Sequence, residues 1–332
     1  MSLQAEAAAP PADAGRAGRT GMAVHGLTRF RTSDLPGSRK LAGWEEHNAR
    51  SLVGLRVRPL AGSPFEATEL NLALPRLRLA KVTGSPHVVD RDPGQIAACP
   101  ADGLVVYFAL SGRGSFHHRH GCEVLTPGQA LVCDADQPFR RRFSRGLTEL
   151  VLRAPRSVLR ETVGCSGLAR PRVFGFDSGS DAHGRALAAS VAGAFSGTAD
   201  WEALETGVLD LLAVVLGGES SNAGHLAAAR AFVTAHLAEP SLSAGRIAQA
   251  VGLSERQLSR LFAASGQSVP QAVLATRLDA VRSALADPAN AAASLADLAA
   301  RHGFVSQAHF SRSDRARFGT TPLRDRRELA HR

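Results

Sequence analysis

Ser243-Ala-Gly-Arg-Ile-Ala-Gln-Ala-Val-Gly252 and Ser294-Leu-Ala-Asp-Leu-Ala-Ala-Arg-His-Gly303 are two copies of one pattern, offset by 51 residues. Each is followed by a second helical stretch, Ser254-Glu-Arg-Gln-Leu-Ser-Arg260 and Ser306-Gln-Ala-His-Phe-Ser-Arg312. The positions read as the parts of a helix-turn-helix. Ser243 and Ser294 stand where a side-chain oxygen caps a helix by accepting from an orphan backbone N–H. Ala248 and Ala299 stand where two helices approach too closely for a larger side chain. Gly252 and Gly303 follow the last helical residue, where a positive φ suits glycine. Leu258 and Phe310 anchor the second helix on the first. Two such units in about 100 residues, each with a Ser-Arg pair on its second helix, predict a paired reader of the DNA major groove.

The charge agrees with a polyanionic partner. The 332 residues carry 39 Lys+Arg against 30 Asp+Glu, a net +9, and Lys40 and Lys81 are the lysines. Between 225 and 332, 14 arginines stand against 8 acidic residues, a net of +6 in a third of the chain. Counterion release drives such a segment onto DNA, and the guanidinium fork matches phosphate and guanine edges. A solvated basic face is the competing reading, and an Ala/Arg bias also follows from GC-rich coding.

Cys99, Cys122, Cys133 and Cys165 form no CxxC pair and no zinc spacing, which predicts reduced thiols in a cytoplasmic protein. No run approaches the ~18 apolar residues of a membrane span. The Ala/Pro/Gly-rich start, 1–27, reads as a disordered tail and not as a signal peptide.

The remaining chain divides by period. Ser33-Asp34-Leu35-Pro36 predicts a capped helix start, leading through Trp44 to about Ser51. From Leu55 to about Pro155 the period is two, with Leu70-Asn-Leu-Ala-Leu74 alternating and Leu104–Leu110, Ala130–Cys133 and Leu147–Arg153 as apolar strands. From Asp181 the period is helical: Ala182 to Phe195, then Asp200 to Leu216 with Leu204, Val208, Leu211, Leu212 and Val215 on one stripe. That stripe predicts a dimer contact, or a cover for the chain's own sheet. Gly217–Gly224 reads as a flexible linker, and a helix from about Leu226 to Leu237 opens the repeat-bearing domain.

On these motifs the C-terminal segment resembles the AraC/XylS family of bacterial transcription regulators. The resemblance rests on Ile247–Ser254, Leu258–Phe262, the connecting helix Pro270 to Leu285, Gly303–Arg312 and Arg317-Phe-Gly-x-x-Pro322. Upstream, Leu110-Ser-Gly-Arg-Gly114, Pro127-Gly128, Asp136-Gln-Pro138 and Leu150-Val-Leu-Arg-x-Pro-Arg156 resemble the cupin-like sensor sheet of some members. The implied fold is α+β in two domains. A cupin-like β-barrel or sandwich with flanking helices spans 28–216, a linker spans 217–224, and an all-α double helix-turn-helix domain spans 225–332. The resemblance further implies two recognition helices in successive major-groove segments. By position, Arg256, Ser259 and Arg260 lie on the exposed face of the first, and Gln307, His309, Ser311 and Arg312 on that of the second. Arginine forks onto guanine and glutamine onto adenine, while serine and histidine suit phosphates or single acceptors.

Two features stand apart. Asp314 occupies the register of the buried Phe262, where a carboxylate is costly unless paired, with Arg315, Arg317 or Arg301 as partners. His117-His-Arg-His120-Gly-Cys-Glu123 resembles a cupin metal set. The histidines follow the Gly-x-Gly turn instead of preceding it, however, and Phe139 takes the third ligand's place. They therefore read as exposed hairpin residues, with no metal and no cofactor. A nucleophile elbow, a P-loop and a GxGxxG are also missing from the sequence.

The resulting expectation is a cytoplasmic, non-enzymatic transcription regulator, an activator and homodimer. It binds promoter DNA, answers to a small-molecule effector in its N-terminal domain and meets RNA polymerase. A barrel interior lined by Leu, Val, Phe108 and Tyr107 with nearby Arg would suit a small acid. Two alternatives stand beside it: an N-terminal half that is a ligand-free dimerisation module, and a metal-dependent cupin enzyme fused to a DNA-binding domain. Bound metal would select the last, and a ligand-induced melting shift the first.

Overall fold

The computed structural model describes residues 26–60, 64–164, 167–196, 200–217 and 221–329. Most of the 1–27 tail, Cys165 and 218–220 of the expected linker lie outside the described residues. The N-terminal half is a sandwich of two antiparallel sheets. The larger is built from β1 (Leu27–Arg31), β3 (Ala67–Ala73), β4 (Arg78–Gly84), β11 (Leu147–Pro155), β6 (Gly103–Ser111), β9 (Gln129–Asp134) and β12 (Arg172–Gly175), in that order. The smaller orders β2 (Arg56–Pro59), β5 (His87–Arg91), β10 (Phe139–Phe143), β7 (Gly114–His118) and β8 (Gly121–Leu125). Leu27, placed in the tail by composition, instead pairs with Leu72.

Side chains alternate across a strand, so neighbouring residues serve opposite layers. Between the sheets pack Val105, Tyr107, Leu131, Val151, Phe116 and Phe139. On the other face of the large sheet, Val106, Phe108, Val132, Leu150 and Leu152 pack under helices. Phe108 is therefore not an interior partner of Tyr107. It meets Phe174 and Phe176 edge-on at 6.0 and 5.7 Å.

Helix α1 (Lys40–Ser51) covers one end of the sandwich with Trp44 and Asn48 buried. Its start differs from the expectation. Thr32–Asp34 and Gly37–Arg39 form short 3-10 turns, and no side chain caps α1. Thr32 is committed elsewhere, accepting from the Ala67 amide at 2.8 Å. A short helix α2 (Pro93–Ala98) follows β5, and α3 (Arg156–Val163) follows β11.

Helices α4 (Ala182–Gly193) and α5 (Trp201–Val215) lie on the large sheet. The proposed dimer stripe is spent there: Val208, Leu211 and Leu212 are each 0% exposed within their own chain. Glu205 on α5, 2% exposed, accepts from the backbone amides of Arg76 and Leu77 at 2.7 and 2.9 Å and so pins the helix to the β3–β4 hairpin.

The next helix, α6 (Asn222–Ala235), begins inside the expected linker, capped by Ser221 accepting from Gly224. It packs on α4 and α5, and on the first helix-turn-helix as well. One apolar core consequently runs from Leu72 through Val233 to Ile247, Leu258 and Phe262. The rest of the C-terminal region is α7 (Ala244–Ala250), α8 (Glu255–Ala264), α9 (Val269–Ala286), α10 (Leu295–Arg301), α11 (Gln307–Phe318) and α12 (Pro322–Leu329). The second helix-turn-helix has its own small core of Leu278, Val281, Leu285, Leu298, Phe304 and Phe310.

Candidate DNA-binding surface

Each unit is assembled by short-range chemistry. Ser243 accepts from Arg246 N and Ser294 from Asp297 N, capping α7 and α10. Gly252 and Gly303 take φ values of 70° and 82°. At Gly303 a Cβ would also meet the Leu237 carbonyl at 2.3 Å, so close approach and handedness both select glycine. Ser254 and Gln257 form a capping box that starts α8, and Ser306 caps α11 by accepting from His309 N. Ala248 and Ala299, at 2% and 1% exposure, sit at the helix crossings, and Leu258 and Phe310 are fully buried.

Burying Leu258 and Phe262 turns Arg256, Ser259 and Arg260 outward on α8. Burying Phe310 and Asp314 turns Gln307, His309 and Arg312 outward on α11, with Ser311 half-buried. The His309 ring lies 6.1 Å from Phe304, which limits where it points.

The arginines of this region fall into two groups. Arg277 donates to the Leu237 and Glu239 carbonyls, Arg317 to Asp279, Arg326 to the Ala293 carbonyl, and Arg246 pairs with Glu239. These hold the domain together. Among the described residues, Arg256, Arg260 and Arg312 have no recorded hydrogen bond or ion pair, and neither do the exposed Arg301 and Arg315. Arg301 and Arg315, expected as partners for Asp314, are exposed instead. Arg315 stands one helical turn from Arg312, and that spacing was the available signal for its outward face.

Asp314 is core-facing as its register requires, at 1% exposure. Its surroundings differ from the expectation. The relevant groups are Asp325 of α12, 3% exposed, and Arg282 of α9, which lies 3.5 Å from Asp325 and 4.2 Å from the Phe318 ring centre. Desolvation, then the Asp325 charge, push the Asp314 carboxyl up to about 6, with Arg282 opposing. Arg317 is taken by Asp279, and the Asp314 Oδ2 has no partner among the described residues.

The histidine segment forms the β7–β8 hairpin. His117 and His120 are exposed, but the His118 side chain is 8% exposed because the next residue on a strand faces the other way. Among the described residues no three His, Cys, Asp or Glu side chains gather as a metal set. Cys99, Cys122 and Cys133 are free thiols. No helix among the described residues is long and apolar enough to cross a membrane.

Residues 247–328 match the helix-turn-helix domain family, and residues 44–217 match the AraC-binding-like domain family. The chain belongs to the AraC family of transcription regulators. It is a DNA-binding regulator with an N-terminal sensor-type domain. It is similar to the transcriptional activator NphR of Rhodococcus sp, 25% identical over 272 residues, 76% of this chain and 78% of that protein. Among solved structures it is similar to the AraC-like transcriptional activator CuxR, with 20% identity, a TM-score of 0.49, and 76% of this chain and 94% of that one covered. An AraC-type regulator from Chromobacterium violaceum is 34% identical over 32% of this chain and 92% of its own, with a TM-score of 0.30. In this AraC-family chain α4 and α5 fall within the AraC-binding-like match, and α6 packs both on them and on α7 and α8.

Proposed function

We propose that this AraC-family chain activates transcription by setting α8 and α11 in successive major-groove segments of a promoter. In this reading Arg260 and Arg312 take guanine edges or phosphates. Arg256 and Gln307 add base contacts, and Ser259, His309 and Ser311 serve phosphates or single acceptors. The observation that carries the reading is the pair of uncommitted guanidinium groups on the exposed faces of two capped recognition helices. The division of labour is sensing by 28–216 and DNA reading by 225–332, in a cytoplasmic homodimer that acts on RNA polymerase by binding and not by catalysis. A small molecule held by the N-terminal half sets the activity. The competing assignment, a ligand-free dimerisation module, draws on the filled space between the sheets: beside Arg141 and Glu149 it holds about 10 Å³.

A footprint on the DNA upstream of a responsive gene tests the reading. Two protected segments one helical turn apart are expected, with the first lost in Arg260→Ala and the second in Arg312→Ala. A single footprint unaffected by both substitutions would refute it.

A further inference from the structure

We propose that the outer face of the five-stranded sheet binds a small organic polyanion, a molecule of nucleotide size bearing phosphate or carboxylate groups. The proposal rests on the reading of the N-terminal half as the ligand-sensing part, and it places the ligand outside the sandwich. Strand alternation builds the site. Arg56 and Arg58 alternate around buried Val57 in β2, and Arg140 and Arg142 around buried Arg141 in β10. Register sets Arg140 opposite Asp90 and His117, Asp90 opposite Arg56, and Arg142 and Arg58 on either side of Val88. Four arginines and His117 therefore share one face. Above Arg58, Arg140, Arg142 and His117 lies a groove of about 880 Å³, bounded by Pro59, Pro93, Pro138 and, at the hairpin tip, Arg119. That volume falls in the range of small-molecule sites, roughly 300–1,000 Å³.

The charges do not cancel. Asp90 accepts from both Arg58 and Arg140, and the Asp92 carboxylate caps α2 by accepting from Gln95 N. Arg142 has no recorded hydrogen bond or ion pair among the described residues, and Arg119 donates to the neighbouring His120. Like charges that share one face of a sheet repel. Arg58 and Arg142 flank Val88 on strands about 10 Å apart, so an anion lying over Val88 would relieve that repulsion at both ends. The interior offers no comparable room beside Arg141 and Glu149, where the space is about 10 Å³, roughly that of a single water. The groove is open to solvent, and duplex DNA enters as an outcome of the test.

Full-length protein is titrated calorimetrically with pyrophosphate, ATP and citrate at low ionic strength, as wild type, Arg142→Glu and Arg142→Lys. Saturable binding of at least one probe is expected, weakened about tenfold or more by Arg142→Glu and less by Arg142→Lys. Binding of the phosphates alone assigns a phosphorylated ligand, and binding of citrate alone assigns a polycarboxylate. Should the charge reversal disturb folding, seen by melting, Arg142→Lys supplies the readout. Three outcomes overturn the proposal: no saturable binding of any probe, equal binding by both Arg142 variants and wild type, or loss of duplex-DNA affinity in Arg142→Glu without small-anion binding. The groove shares no residue with α8 or α11, so wild-type DNA binding in the same buffer separates this failure from failure of the regulator reading.

Discussion

Arg185 on α4 donates through Nη2 to the carbonyl of Ala250, 65 positions away, at 3.2 Å. Its Nη1 holds the carbonyls of Ser178 and Ser180. Ala250 is the last residue of α7, two before the Gly252 turn, so a helix packed on the sandwich holds the first helix-turn-helix beside its turn. Beside it the rings of His183 on α4 and His225 on α6 are 5.1 Å apart. A shift of α4 therefore has a direct mechanical route to the first recognition unit.

Arg185→Ala removes three donor contacts to backbone carbonyls and should lower stability by about 1–2 kcal/mol. Thermal melts check this. DNA affinity of the variant should change through the first half-site; an unchanged melting point together with unchanged footprints would show that the grip is idle.

DNA affinity should fall steeply with salt. Neutralising about 6 phosphates gives a log–log slope near −5. Fluorescence anisotropy of a labelled duplex between roughly 50 and 200 mM salt measures it. A slope near zero contradicts the phosphate-contact reading.

Arg260→Ala should cost about 1–3 kcal/mol of binding and relax preference at one base pair if the side chain reads guanine. Loss that is uniform across sequences identifies a phosphate contact instead. Competition with single-base operator variants separates these outcomes, and wild-type behaviour in both respects removes Arg260 from the interface.

Asp314 makes the second reader pH-dependent. Its folded-state carboxyl is raised from the ordinary 3.8 to about 6, so the folded protein holds the proton over a window where the unfolded chain has lost it. The stabilising contribution is full below about 4 and lost as pH rises through about 6. Asp314→Asn should remove that part of the dependence and raise stability near neutral pH by about 1–2 kcal/mol, the scale of an unsatisfied buried acceptor. Melting curves from about pH 4 to pH 7, which bracket the transition, decide it; a pH profile identical to wild type refutes the assignment.

Glu205→Ala strips the acceptor from the Arg76 and Leu77 amides and should destabilise by about 2–4 kcal/mol. By the same logic Leu211→Asp should unfold the sandwich–helix layer instead of separating subunits, because Leu211 is 0% exposed within one chain. Light scattering beside circular dichroism distinguishes these: a folded, monomeric Leu211→Asp protein would restore the stripe as a dimer contact.

What the sequence determined by itself was everything carried by short-range chemistry. The Ser243 and Ser294 caps, the glycine turns, the alanine crossings and the outward faces of α8 and α11 depend on residues within a few positions of one another and were legible, although the capped start read at Ser33–Pro36 was not formed. Strands between Leu55 and Pro155 were legible from alternation and apolar runs, β1 and β12 were not, and the burial of Asp314 was legible from its register with Phe262. Tertiary structure decided every question about a distant partner. It sent Val208 and Leu211 inward, split Phe108 from Tyr107 across the sheet, and gave Asp314 the company of Asp325 and Arg282 in place of its sequence neighbours. It also made α6 a shared wall between sensor and reader where composition suggested a loose tether. Periodicity says which face of an element is apolar, but not which surface covers it; that depends on how distant elements pack, and it is settled only when the whole chain is folded.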